Sequence, residues 1–536
     1  MQHLQLPAIS EHLSSAVTHI LSLPPLTILG YAVAGAAASA AGFVFVYIPL
    51  RFLYRITLHP LAKVPGPKWM LVSGYASQVY WEATGDRQGT SLFAVQEWHK
   101  KYGPIVRTAV DVVHIDDIET YNQIFKVGTK FPKTARFYNH PSTRGSLLDI
   151  IDFHEVHLRR SALQPYFSKQ AVRKLQGLIQ GKVSRFLDRL VDAAHDGTPV
   201  NLTRGFRCLA CDIITSYSYE QCFDAIDDPS FSPEWLLAFE SLVRTQSIQT
   251  VFPWFFSVLG YALQFLPRES ARVISPAVAH MVDFLDVCRA AVLKQKQRWM
   301  VGEREIVTIF EQLFQDDPKK GRKKATDDEL AAEAMLTVSA GMDTTGHALT
   351  LAAYHIMKNQ DVQARLLAEL KTVMPTPTSP VEEETLDHLP FLQAVIKETL
   401  RFSHGVPGPL PRDVPPSGAT LLGYYLPPGT ATLNSNYIYH TNETAFPDPH
   451  RWHPARWLAA DTREMERYWM PFSRGARVCI GMNLAMAELT ITIARMVRQL
   501  EFAPAPGFKD EDMRWISQFV AVQKGFLKVT VRERVD

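Results

Sequence analysis

The stretch FSRGARVCIG, from Phe472 to Gly481, limits what this chain can become more than any other. It places one cysteine, Cys479, in a loop that also holds Phe472, Gly475, Arg477 and Gly481, and the residues that follow, MNLAMAELTITIARMVRQL, carry an unbroken helical pattern. A thiolate is a soft ligand, suited to haem iron, to iron–sulfur clusters and to zinc or copper(I). Clusters and zinc call for several cysteines together, whereas haem needs one. Both glycines permit positive φ and let the backbone come close to a metal and its macrocycle. The following helix would turn its positive end toward the sulfur and help to keep it ionised. Arg477 could pair with a carboxylate such as a haem propionate. A purely structural cysteine would need neither the arginine nor the glycines.

The other cysteines are Cys208, Cys211, Cys222 and Cys288, and a total of 5 in 536 residues is too sparse for a disulfide framework. Cys208 and Cys211 have metal-pair spacing, but zinc needs four ligands and no second pair follows. The surrounding FRCLACDIITSYSYEQCFD reads as a buried helix, in which free cysteine acts as a small hydrophobe. HEVH, at His154 to His157, sets its histidines three residues apart, not the four of a zinc-protease helix. With 56 Lys and Arg against 54 Asp and Glu the net charge is +2, which gives no basis for nucleic-acid binding. No phosphate-binding P-loop or Gly-x-Gly-x-x-Gly run is present.

Leu26 to Leu50, LTILGYAVAGAAASAAGFVFVYIPL, has no charged residue and is long enough to cross a bilayer core, which takes about 20 residues. A cleaved signal peptide would carry its positive charge in front. Here Arg51, Arg55, Lys63 and Lys68 lie behind the run, which favours an uncleaved anchor with the body on the cytosolic side. Residues 1–25 are then a short lumenal tail, 26–50 the anchor and 51–68 a basic, proline-rich linker ending in HPLAKVPGPKW, with 69–536 as one catalytic domain. In that topology the acceptor patterns at Asn201 and Asn442 stay unglycosylated.

Helical periodicity dominates the body, over 175–194, 283–299, 327–357, 361–373, 391–401 and 483–500. Strand-like stretches are short: PIVRTAVDVVHI, ATLLGYYLPPGTATLN and FLKVTVRE. The expected class is mainly α with small β-sheets. The charged stretch 316–329 reads as a solvated loop before the longest helix.

Phe-x-x-Gly-x-Arg-x-Cys-x-Gly resembles the haem-binding signature of the cytochrome P450 family. Two further motifs agree in order. Ala340-Gly341-Met342-Asp343-Thr344-Thr345 puts an acid and a hydroxyl in the middle of a helix, where Thr344 can bond back to the backbone and loosen it. This looks like the family's oxygen-activation motif, which implies a proton relay through Asp343 and Thr344. Glu398 and Arg401 stand three apart on one helix face, and FPDPHRWHPARW supplies Arg456. The resemblance implies that these three form a buried network supporting the core. It also implies that Arg412, in GPLPRDV, reaches a propionate. Arg160 is a further propionate candidate, although His157 is one position out of step with the family's usual Trp or His.

The resemblance covers nearly the whole body and implies a cytochrome P450 fold preceded by one amino-terminal transmembrane helix. It implies haem b as cofactor, with Cys479 as axial ligand to the iron. Electrons would come from NADPH through a separate NADPH–cytochrome P450 reductase. The setting would be the endoplasmic reticulum membrane, single-pass with a cytosolic domain. The wording of the motifs resembles membrane-bound enzymes of fungal secondary metabolism, which implies a small lipophilic substrate, a terpenoid first and then a polyketide or alkaloid. Fatty-acid or xenobiotic hydroxylation is the alternative, followed by a P450-type isomerase, dehydratase or peroxide-dependent enzyme. A non-enzymatic haem carrier would not need Asp343 and Thr344. The substrate cavity is expected among 137–151, 235–265, 336–340, 403–406 and 519–520.

Overall fold

A computed structural model describes residues 24–534 apart from 73–79, 82–86, 139–142, 220, 245–257, 259–267, 275 and 304–307. Residues 1–23 of the expected lumenal tail and most of the aromatic stretch 251–265 therefore lie outside the described residues.

At the centre runs the helix Asp327–Lys358. Thr326 and Glu329 close its start as a reciprocal capping box, and Asp327, Asp328 and Glu329 complement the positive end of its dipole. Leu330, Val338, Met342, Leu349 and Ala352 are wholly buried on it. The helix packs most extensively against Leu202–Tyr219, and also against Pro276–Met300, Pro390–Ser403 and Met482–Gln499. Gly346 permits the tightest of these approaches: a Cβ there would stand 3.0 Å from the backbone N of Arg207. Cys208 and Cys211 are buried in Leu202–Tyr219 among apolar neighbours, and no group of three metal-ligating side chains occurs among the described residues.

The sheets are small, as the short strand signals indicate. The largest has the order Ile105–Ala109, Val112–Ile115, Ala431–Leu433, Arg412–Asp413, with the middle pair parallel and the outer pairs antiparallel. A second joins Val200–Asn201, Lys528–Glu533 and Leu500–Pro504. Hairpins at 419–426 and 515–523 complete the set among the described residues.

At the amino terminus the helix does not end with the apolar run at Leu50. Helical structure extends from Pro25 to Thr57, with a π turn at Phe43–Tyr47, and this span is long and apolar enough to cross a membrane. Pro49 lies inside this span, directly after the π turn, where its missing N–H and its ring interrupt the regular hydrogen-bond ladder without ending the helix. The following linker is tied to the body. Arg107 donates from Nη1 to the carbonyls of Arg55 (2.8 Å) and Leu61 (3.3 Å), and its backbone N–H donates to Pro65 (2.7 Å). Gly66 lies so close that a Cβ would meet the Arg107 carbonyl at 2.3 Å. Leu61 and Val64 are buried in the core beneath the first sheet, so packed structure begins before residue 69.

Candidate active site

Cys479 sits between a short turn, Gly475–Arg477, and the helix Met482–Gln499. Its backbone N–H donates to the Phe472 carbonyl at 2.9 Å, closing the loop into a fixed shape. Gly475 has φ +72, and a Cβ there would come within 1.6 Å of the Phe125 carbonyl oxygen, so no side chain fits. Gly481 does not use the positive φ that glycine permits. It has φ −82 and serves as the N-cap of the following helix, where a Cβ would lie 4.0 Å from the Cys479 sulfur. That is an ordinary van der Waals separation, so neither handedness nor lack of space requires glycine here. Burial pushes the Cys479 thiol up, while the Gly481 N–H and the charge of Arg160 act the other way.

Among the five cysteines Cys479 alone is exposed, and its surface faces an internal cavity of about 930 Å³. Phe472, Arg477, Cys479 and Gly481 contribute to one wall of the cavity, with Arg160 and Arg412 beside them. Asp343 and Thr344 line the same cavity from the central helix. Residues from each expected segment, such as Phe137, Val243, Leu336, Val406 and Phe519, complete a lining that is largely apolar.

The cations converge. Arg412 is buried, and Arg477 donates from Nη2 to the Ile151 carbonyl at 3.2 Å. Arg477 Nε and Nη1 and Arg412 Nε are buried without a hydrogen-bond partner. Sequence reasoning missed a fourth member, Lys133, which is buried and donates to the Leu148 carbonyl at 2.6 Å. Burial first, then the charges of Arg412 and Arg477, push the Lys133 ammonium well below its ordinary value, and burial likewise brings Arg477 to about 10. A lysine inside FPKTARFY, flanked by aromatic and β-branched residues, was the available signal. Buried cations with orphaned donors call for an anionic partner. A single accessible thiol facing the same space, together with donors for two carboxylates, fits iron protoporphyrin IX.

On the opposite wall the central helix is continuous through the Asp343–Thr344 pair. Thr344 Oγ1 donates to the Ala340 carbonyl at 2.8 Å. Asp343 is buried, and its Oδ1 lies 2.8 Å from Arg207 Nη2, a partner that sequence reading did not find.

Glu398, Arg401 and Arg456 meet outside this lining. Glu398 Oε1 and Oε2 receive Arg401 Nη2 and Nε, each at 2.9 Å, and Oε1 also receives Arg456 Nε at 3.1 Å. The His453 N–H and Trp457 Nε1 add bonds of 2.9 Å each. Burial would raise the carboxyl, but the Arg401 hydrogen bonds and the charges of Arg401 and Arg456 hold it below its ordinary value.

A sequence model of the cytochrome P450 family matches residues 64–528. The chain is 33% identical over 503 residues to the cytochrome P450 monooxygenase macH of Penicillium terrestre, covering 93% of this chain and 97% of that one. It is 31% identical over 460 residues to the fusicoccadiene C-8 hydroxylase of Alternaria brassicicola, covering 83% and 85%. It is 30% identical over 491 residues to the cytochrome P450 monooxygenase TRI4 of Trichoderma arundinaceum, covering 90% of each. The thiol, the cation cluster and the acid–hydroxyl helix thus stand in a chain matched along almost its whole length, and this protein belongs to the cytochrome P450 family.

Proposed function

We propose that this chain hydroxylates a small lipophilic terpenoid in fungal secondary metabolism. As a member of its family it is an oxidoreductase of the monooxygenase type whose cofactor is haem b. Cys479 would ligate the iron, and Arg160, Arg412, Arg477 and Lys133 would hold the propionates. Bound there, the haem supplies dioxygen activation, which a thiolate ligand favours by electron donation. The remaining work belongs to the protein. Thr344 Oγ1 and the Asp343 carboxylate, both at the cavity wall, would hold and pass protons there. The apolar lining excludes water and orients a hydrocarbon skeleton.

The observation that carries this reading is that one cavity joins the accessible Cys479 sulfur to Asp343 and Thr344. The terpenoid preference is supported by the relative described as a fusicoccadiene hydroxylase. The helix Pro25–Thr57 supports single-pass membrane anchoring, while membership of the family supports the endoplasmic reticulum as the setting and a membrane-bound NADPH–cytochrome P450 reductase as electron donor. Two measurements test the reading. Reduced protein should give a thiolate-type carbon monoxide difference band that Cys479→Ala abolishes; its absence in folded protein removes the assignment. Farnesol, geranylgeraniol and lauric acid titrated against the Soret band should rank the terpene alcohols tighter, and a preference for lauric acid would favour fatty-acid hydroxylation.

A further inference from the structure

Asp343 does not stand alone behind the cavity wall. It ends a row of alternating charges that crosses three helices: Arg204 and Arg207 on Leu202–Tyr219, Glu240 on Glu234–Val243, and Asp343 on the central helix. Arg204 Nη2 lies 2.9 Å from Glu240 Oε2, and Arg207 Nη1 lies 2.9 Å from Glu240 Oε1. Arg207 Nη2 then lies 2.8 Å from Asp343 Oδ1. Side-chain exposure falls along the row, from 20% at Arg204 through 10% at Glu240 and 7% at Arg207 to 4% at Asp343. The outer end therefore touches solvent and the inner end touches the cavity.

The two links made by Arg207 differ in kind. Its contact with Glu240 is an aligned hydrogen bond, whereas Asp343 Oδ1 is close to it without meeting hydrogen-bond geometry. Arg207 is thus anchored to Glu240 and only charge-paired with Asp343. That distinction matters when Asp343 moves to pass a proton. An arginine left buried without a carboxylate is costly, and Glu240 prevents it by keeping Arg207 neutralised. Beside the row lies a cleft of about 10 Å³, space for roughly one water, bounded by Arg207, Glu240, Arg244, Asp343 and Gln523.

We propose that Glu240, acting through Arg207, is a positioning residue that frees Asp343 to carry protons from this outer cleft to the cavity. The proposal rests on the monooxygenase reading above. Without Glu240, Arg207 has Asp343 as its remaining carboxylate and holds it in place, so proton delivery slows.

The test is Glu240→Gln in the full-length haem-loaded protein with NADPH and reductase, without an organic substrate. Dioxygen then leaves either as hydrogen peroxide, after two electrons and two protons, or as two waters, after four electrons and four protons. All the electrons come from NADPH. Glu240→Gln should raise the peroxide-to-water ratio at least threefold and enlarge the solvent isotope effect on that partition. Glu240→Asp, which keeps the charge, should fall between the two. A crystal structure of Glu240→Gln should show Asp343 in an aligned hydrogen bond to Arg207. An unchanged partition in a Glu240→Gln protein with a normal carbon monoxide band overturns the proposal and leaves the monooxygenase reading intact. If Glu240→Gln does not load haem, Glu240→Asp decides, and a wild-type partition there overturns it. Lack of a thiolate-type band in the wild type would remove the underlying reading instead.

Discussion

Replacing Glu398 with leucine tests the buried network most directly. The carboxylate accepts five hydrogen bonds, two from Arg401 and one each from the His453 N–H, Arg456 and Trp457. Glu398 and Arg401 have 0% relative exposure, so water cannot take over either group. Removing one partner of such a pair costs about 3–5 kcal/mol, because the remaining charge stays buried and unpaired. That is a large share of the roughly 5–15 kcal/mol that holds a domain together. We expect Glu398→Leu to lower the urea midpoint by the equivalent of about 4 kcal/mol and to yield little protein with a thiolate-type carbon monoxide band. The double variant Glu398→Leu/Arg401→Leu should be less destabilised than the sum of the single variants, since it removes the stranded charge as well. The reasoning fails if Glu398→Leu unfolds within about 1 kcal/mol of the wild type, or if the double variant is strictly additive.

Gly475→Ala should displace the cysteine loop, because its methyl would meet the Phe125 carbonyl at 1.6 Å in a left-handed backbone; loss of the 450-type carbon monoxide signal with secondary structure retained by circular dichroism is the readout. Thr344→Ala should still consume NADPH but divert oxygen to peroxide, measured as peroxide formed per NADPH; unchanged coupling to product removes Thr344 from the relay. Acid should destabilise the fold below pH 6.5, since burial lowers His347 to about 4 and His355 and His440 to about 3. The unfolded chain then binds protons that the folded one refuses, costing about 1.4 kcal/mol per histidine at pH 5.5. Denaturant midpoints flat from pH 7 to 5.5 would contradict this.

Much of the site was legible because its signals are local. The cysteine loop is a contiguous run, the Asp343–Thr344 pair lies on one helix, and Glu398 and Arg401 share a helix face. Long helices were legible for the same reason: the apolar pattern that marks 327–357 buries Leu330, Val338, Leu349 and Ala352. What escaped was pairing across the chain. Nothing near Arg207 announces Asp343, and nothing near Lys133 announces Arg412, because only tertiary packing brings them together. Gly481 is a different case: a glycine beside a ligand suggests unusual φ, yet its φ is −82 and a Cβ there would stand 4.0 Å from the sulfur, at ordinary contact distance. Trp457 was visible in the quoted motif, but its indole N–H bond to Glu398 depends on a turn that only the fold defines.

The tie between Arg107 and the linker has a mechanical consequence. Arg107 belongs to the strand Ile105–Ala109, and its neighbours Thr108, Ala109 and Val110 form part of the cavity wall, as does Met70 just past the linker. Arg55, near the end of the long helix, is also fastened to the body, donating to the carbonyls of Leu71 and Val72 at 3.0 and 2.8 Å. A flexible tether would let the body swivel, so that its mouth sampled many heights above the lipid. Here helix end, linker and cavity wall are one mechanical piece. With the helix in a bilayer, these ties would fix the height and facing of that wall, and a lipid-dissolved molecule would meet it by sideways diffusion, with no wait for the enzyme to turn.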